Sequence, residues 1–163
     1  MTDKIYVESG YHRDIGYPKG TWVSLDLQED EFWSILDGIK HNNDDTIIVT
    51  DYDTEYKIPD IVDLQKLWEF HNSISLMDTQ DVEKIYYLLW EHPYDFDNAL
   101  LNYKNVTIYY NTTLLELAQE FIQDHMFGEI TESLRSHIDY DSVANDLHHN
   151  GYIQYRGHVF NWS

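Results

Sequence analysis

Apolar and polar residues alternate over Lys4 to Glu8 and over Thr21 to Leu27, and the Gly16, Pro18, Gly20 cluster separates the two stretches. Alternation with period two is the pattern of half-buried strands, so both stretches are expected to be strands joined through a turn-rich segment. The period then changes. Phe32, Ile35, Leu36 and Ile39 recur at helical spacing behind Glu29, Asp30 and Glu31, three acids suited to the positive end of a helix dipole. Thr46 to Val49 returns to an apolar, β-branched run that predicts a further strand, and Pro59 closes this first block.

A second block, residues 60–105, reads as helical. Asp60 is placed to cap a helix whose Leu64, Leu67, Trp68 and His71 share a face, and Asp78 or Thr79 to cap another carrying Val82, Ile85, Tyr86 and Leu89 up to Pro93. Tyr94 to Tyr103 predicts a short third helix. The last block, 106–163, opens with a strand-like run, Val106 to Tyr110, followed by a capping-box pair, Thr113 and Glu116. The stripe Leu114, Leu117, Ala118, Phe121, Ile122 makes the next segment a helix, with Gly128 as its expected stop. Asp139 to His149 predicts another helix, and Gly151 to Trp162 a hairpin turning at Arg156 and Gly157. The fold class is therefore α+β, in three small subdomains over 1–59, 60–105 and 106–163. The aromatics of the final hairpin, Tyr152, Tyr155, Phe160 and Trp162, suit either a core or a low-charge dimer interface, and a core is the favoured expectation.

Charge changes this picture from ordinary to specific. Across 163 residues, 30 Asp and Glu stand against 10 Lys and Arg, a net charge of −20. Acidic disordered chains are poor in aromatics, whereas this one has 14 Tyr, six Phe and five Trp, enough to build a core. A folded surface must carry the acids. Between Asp26 and Asp63 there are twelve acids against Lys40 and Lys57, and between Glu116 and Asp146 eight against Arg135, while both ends are close to neutral. Such a surface repels phosphate backbones and anionic lipid, which argues against direct nucleic-acid or membrane binding and for a basic protein partner. The absence of cysteine excludes disulfides, thiolate metal sites and thiol catalysis. The N-terminus lacks a signal-peptide pattern and no stretch has the length of a membrane span, so a cytoplasmic location is expected.

Motifs for catalysis do not emerge. With so many carboxylates, pairs at glycosidase or phosphohydrolase spacing arise by chance, and a hydrolase stays a third reading that would need acids converging in one pocket. Asp51-Tyr52-Asp53, Asp95-Phe96-Asp97 and Asp139-Tyr140-Asp141 share an acid-aromatic-acid pattern, which on a strand puts two carboxylates on one side and a ring on the other. A calcium loop from Asp51 fails, because Tyr56 and Val62 occupy the glycine and bidentate-glutamate positions. The nine His are scattered without the i, i+4 pair of a helical zinc site, and nucleophile-elbow, P-loop and dinucleotide motifs are missing. No cofactor, metal or catalytic residue is expected. Duplex DNA carries one charge per about 1.7 Å of axis, so twenty net charges match roughly ten base pairs. Carboxylates held on a rigid frame at such spacing could occupy the groove of a DNA-binding protein.

The segment Leu117 to Leu147, ending in IDYDSVANDL, resembles the C-terminal part of the ArdA antirestriction proteins, with Ile138, Asp139, Tyr140, Asp146 and Leu147 carrying the most specific match. Tyr6-Val7 with Gly20-Thr21-Trp22 is similar to the family's opening strands, and Asp51-Tyr52, then Leu64 and Leu67-Trp68-Glu69, to its D-Y and L-x-x-L-W-E elements. The likeness spans nearly the whole chain. It departs at Glu8 to Gly16 and is limited to helical character over residues 70–110. The resemblance implies an elongated, three-part, dimeric protein without catalysis that mimics bent duplex DNA and blocks Type I restriction-modification complexes at their specificity and modification subunits.

The acids expected to face that partner are Asp26, Glu29, Asp30, Glu31, Asp37, Asp44, Asp45, Asp51, Asp53, Asp60, Asp63, Asp95, Asp97, Glu116, Glu120, Asp124, Glu129 and Glu132. Several of them, and Asp139, are equally suited to capping helices. The rival reading is an acidic adaptor that binds another basic protein, such as a nucleoid protein or a different DNA-directed defence system.

Overall fold

The computed structural model describes residues 2–162 and shows an α+β protein with two three-stranded antiparallel sheets. It resolves into two compact units. The first holds residues up to Met77 together with Pro93–Asp97, and the second holds Asp78–His92 and the residues from Asn98 onward.

In the first unit, β1 (Lys4–Ser9) lies between β2 (Gly20–Ser24) and β3 (Ile47–Asp53). Ile5, Val7 and Ser9 of β1 are buried, and α2 (Glu29–Ile39) packs Phe32, Leu36 and Ile39 on that side of β1 and β2. The opposite face carries Lys4, Tyr6 and Glu8. Along β3 the pairing to β1 slips by one residue between Asp51, opposite Tyr6, and Val49, opposite Val7, leaving Thr50 as a bulge. Side chains alternate along a strand, so an uninterrupted ladder would put Asp51 on the same side as Val49. The bulge turns Ile47 and Val49 toward the core side and Asp51 and Asp53 away from it. A short α1 (Gly10–Asp14) follows β1, and α3 (Leu64–Ser75) adds Leu67, Phe70 and Ile74 to the buried set. Phe70 stacks on Phe96 at 4.3 Å, with Tyr56 edge-on to Phe70 at 5.2 Å.

The second unit covers its sheet on both faces. Its strand order is β4 (Val106–Tyr109), β6 (His158–Trp162), β5 (Tyr152–Tyr155). Val159 joins a cluster with Leu117, Ala118 and Phe121 of α6 (Leu114–Gln123) and Leu147 of α8 (Tyr140–His149). Its neighbour Phe160 stacks on Tyr87 of α4 (Thr79–Glu91) at 4.6 Å, and burial pushes the Tyr87 hydroxyl up to about 12. Burial on both sides explains why the neighbours Val159 and Phe160, which point to opposite faces of β6, are both apolar. The hairpin aromatics are packed as expected: Tyr155 stacks on Trp90, Trp162 meets His92 and Tyr152 lies against the cluster. Arg156 and Gly157 have φ of 51° and 81°, the positive values a two-residue hairpin turn needs.

Several expected boundaries are corrected. The cap of α3 is Asp63, not Asp60, since the Asp63 carboxylate accepts from the Lys66 N–H at 3.0 Å. Helix α6 ends at Gln123, where His125 takes a positive φ of 58°, and Gly128 serves the following turn. Strand β2 stops at Ser24, short of Leu27, while β3 runs on to Asp53 through its bulge. Helices α1 and α7 (Glu132–Arg135) leave no periodic signal in the sequence, because five and four residues are too few to display a period. The Tyr94 to Tyr103 segment is α5 (Phe96–Asn102) plus a 3₁₀ turn, Tyr103–Asn105. Of the three acid-aromatic-acid triplets only Asp51 to Asp53 lies on a strand, while Asp97 and Asp141 are helical.

Gly20 sits opposite Glu8 where β1 and β2 approach closely, and a Cβ there would fall 2.5 Å from the Val7 carbonyl oxygen and 2.8 Å from Glu8 Cγ. Backbone oxygen cannot swing aside as a side chain can. Gly20→Ala is expected to destabilise the protein by about 1–3 kcal/mol, read as a lower midpoint in urea; an unchanged midpoint would refute the close-approach argument.

Candidate functional site

Neither unit is close to neutral. The first contains 18 acids and six bases, net −12, and the second twelve acids and four bases, net −8. Of the eighteen acids expected to face a partner, sixteen are exposed, and Asp45 and Asp53 are half-buried. They are spread over α2, β3, α6 and the intervening loops and do not converge on one pocket.

Local bonding divides the eighteen. Glu29, Glu31, Asp44, Asp60, Glu120, Asp124 and Glu129 are exposed, and their carboxylates make no hydrogen bond or ion pair among the described residues. Asp30 and Asp51 each accept from the backbone N–H of the next residue, and Asp95 is exposed immediately before α5, which starts at Phe96. The rest are engaged in the fold. Asp63 caps α3, and Glu116 completes the capping box of α6 by accepting from the Thr113 N–H at 2.9 Å. Asp37 pairs with Lys40 and Asp97 with Lys66, both at 2.8 Å; Asp53 lies 3.5 Å from Lys4 and Glu132 lies 3.8 Å from Arg135. Hydrogen bonding to Asp97 holds the Lys66 ammonium above its ordinary value. These surface pairs contribute little to stability, but each one neutralises a base.

Asp26 and Asp45 hold the first unit together. Asp26 accepts from the buried His71 ring, 2.8 Å from its Nε2, while His71 Nδ1 lies 3.2 Å from the Tyr56 hydroxyl and 3.6 Å from Asp3. Asp3 is itself buried, which pushes its carboxyl up against the opposing pull of His71. Asp45 accepts from the Ser9 hydroxyl at 2.5 Å and from the backbone N–H groups of Tyr11 and His41, each at 2.9 Å. It thereby ties the start of α1 to the residue after Lys40. With its own proton given to Asp45, Ser9 Oγ accepts from the His12 N–H at 3.2 Å and faces His12 Nδ1 at 2.8 Å. Sequence spacing gave no sign of either knot, because an Asp in a run of acids looks the same whether or not a hydroxyl meets it.

The family-like segment is largely structural. Asp139 caps α8, accepting from Ser142 N–H and Oγ, and the Ser142 hydroxyl holds its carboxyl below the ordinary value. Leu147 is buried in the second-unit cluster, Ile138 and Tyr140 are half-buried, and Asp146 is exposed. Among the described residues no group of three or more His, Asp or Glu is placed to hold a metal ion, and no helix is long and apolar enough to cross a membrane.

Fold and surface together define a class: a small α+β protein whose chemistry is the display of carboxylates over both of its units. Comparison with protein families places it further. The chain belongs to the ArdA family of antirestriction proteins, whose family model matches residues 5–160. Comparison with individually curated proteins gave no match.

The Ser9 hydroxyl, with the His41 and Tyr11 N–H groups, lowers the Asp45 carboxyl from 3.8 to about 2. A carboxyl lowered on folding stabilises the fold above its unfolded value and loses that contribution as pH falls through the folded one. Asp45→Asn should therefore lower the thermal midpoint at pH 7, with the deficit closing between about pH 4 and pH 2. Equal midpoints of variant and wild type at pH 7 would sink this assignment.

Proposed function

We propose that this antirestriction protein acts stoichiometrically as a DNA mimic, competing with DNA for the basic groove formed by the specificity and modification subunits of Type I restriction-modification complexes. The observation that carries the proposal is the spread of exposed carboxylates over both units, net −12 and −8. A duplex presents charge to its partner as a distributed array, and a protein that occupies the same groove must do likewise. A second copy doubles the array, and we propose a homodimer joined through surface of low charge. The three blocks 1–59, 60–105 and 106–163 are the proposed functional divisions, with the acids of the first and third contributing most. The exposed acids of α2, the 41–46 loop and the α6 to α7 segment are the proposed phosphate equivalents. Asp26, Asp45, Asp63, Glu116 and Asp139 chiefly hold the fold.

A competition titration tests this reading. A Type I methyltransferase core is bound to labelled target DNA and challenged with the protein at low and moderate salt. The expected result is displacement at near-stoichiometric concentration, weakening at least about tenfold between 50 and 200 mM salt as released counterions oppose binding. DNA retained at many-fold excess would refute the Type I assignment and direct a search to other basic partners, including nucleoid proteins and other DNA-directed defence systems.

A further inference from the structure

The two sheets differ in a way that the family assignment does not explain. Both faces of the second sheet are packed, whereas the face of the first sheet away from α2 remains accessible, and a tryptophan stands on it. Register defines two rows across this face. Trp22, Tyr6 and Asp51 form one, and Ser24, Lys4 and Asp53 form the next. The β3 bulge brings Asp51 and Asp53 here, and Gly20 leaves room for the Tyr6 ring, whose edge would lie 3.1 Å from a Cβ at that position. Tyr6 meets Trp22 edge to face at 5.4 Å, and Trp22 keeps 44% of its surface exposed.

A cation already sits on this platform. Lys4 Nζ lies 5.2 Å from the centroid of the Trp22 ring and 3.5 Å from the Asp53 carboxylate. A ring face beside a carboxylate is a poor fit for a strongly hydrated ammonium and a good one for guanidinium, which stacks on aromatics and pairs bidentately with carboxylates. Asp51, one row away, has only its Oδ1 engaged, by the Tyr52 N–H. The platform thus offers two carboxylates and a half-exposed indole to one lysine that uses them incompletely. A further charged pair on this face, Glu8 with Arg13 at 3.2 Å, is self-neutralising.

We propose that this sheet face is a receptor for an arginine side chain of a basic protein partner, and that Lys4 is the resident cation which the arginine displaces. The proposal rests on the reading that the partner is a basic protein, and it adds a short-range, geometry-specific contact to the long-range attraction of the dispersed acids. Phosphate and lipid headgroups are excluded as occupants by the two carboxylates.

The test uses the intact protein and needs no restriction enzyme. An acetylated, amidated tetra-arginine peptide and its lysine counterpart are titrated into ¹⁵N-labelled protein while the indole N–H resonances of Trp22, Trp33, Trp68, Trp90 and Trp162 are followed. The Trp22 signal should move most, and further with arginine than with lysine. Lys4→Met should tighten arginine-peptide binding about two- to fivefold beyond any gain in Lys104→Met, a charge-matched control in the second unit. Trp22→Leu should weaken it by a similar factor. A Trp22 signal that stays still, or a Lys4→Met variant that binds no more tightly than Lys104→Met, would overturn the receptor even in a protein that displaces DNA. Failure of the DNA competition would leave a positive peptide result standing.

Discussion

Mutual repulsion among carboxylates is the constraint under which this fold forms. Twenty excess negative charges on one small chain disfavour compaction, so the acids must remain in solvent, with the apolar core supplying the cohesion. Asp3 is the one acid buried among the described residues, and it lies against a histidine and a backbone N–H. Where other acids are engaged, the contact relieves repulsion as well as adding a bond: helix N-termini receive Asp63, Asp78, Glu116 and Asp139, and bases receive Asp37, Asp53, Asp81, Glu83 and Asp97. The bases are thereby largely neutralised. Among the described residues, seven bases, including Arg156 on Glu83 and Lys84 on Asp81, lie in ion pairs with carboxylates. The surface therefore shows little unpaired positive charge.

The two units meet the constraint differently. In the second, aromatic and aliphatic residues from three helices enclose the sheet, so its acids are carried on helix exteriors and loops. In the first, one sheet face is left to solvent, and a single bulge at Thr50 decides which β3 residues reach it. That one-residue slip converts a strand with alternating apolar positions into one that turns apolar side chains inward at one end and acids outward at the other. It links a local backbone irregularity to the charge that this sheet face carries.

Much of this was legible in the sequence. Helices α4, α6 and α8 follow from period and capping residues, α2 from period and the acids of its first turn, and the Thr113 and Glu116 capping box is formed as the pattern implies. The hairpin turn followed from its length and its glycine. What sequence could not supply was tertiary. The Asp63 cap lies three residues beyond the Asp that pattern favoured, and α1 and α7 are shorter than any period. The roles of Asp26 and Asp45 depend on His71 and Ser9, 45 and 36 residues away along the chain. The Thr50 bulge leaves no trace in a count of alternations. The outward face of Trp22 is legible too: in an alternating strand with Val23 inward, it points to the opposite side.

We propose that exposed, unengaged carboxylates carry the antirestriction activity while engaged ones carry the fold. The most direct measurement neutralises Glu29, Glu31, Asp44, Glu120, Asp124 and Glu129 together, to Gln or Asn, and follows both thermal stability and inhibition of a Type I enzyme. Relief of repulsion should leave the thermal midpoint unchanged or higher, while inhibition weakens at least about tenfold and loses part of its salt dependence. A folded variant that inhibits as strongly as the parent would show that these carboxylates do not carry the activity.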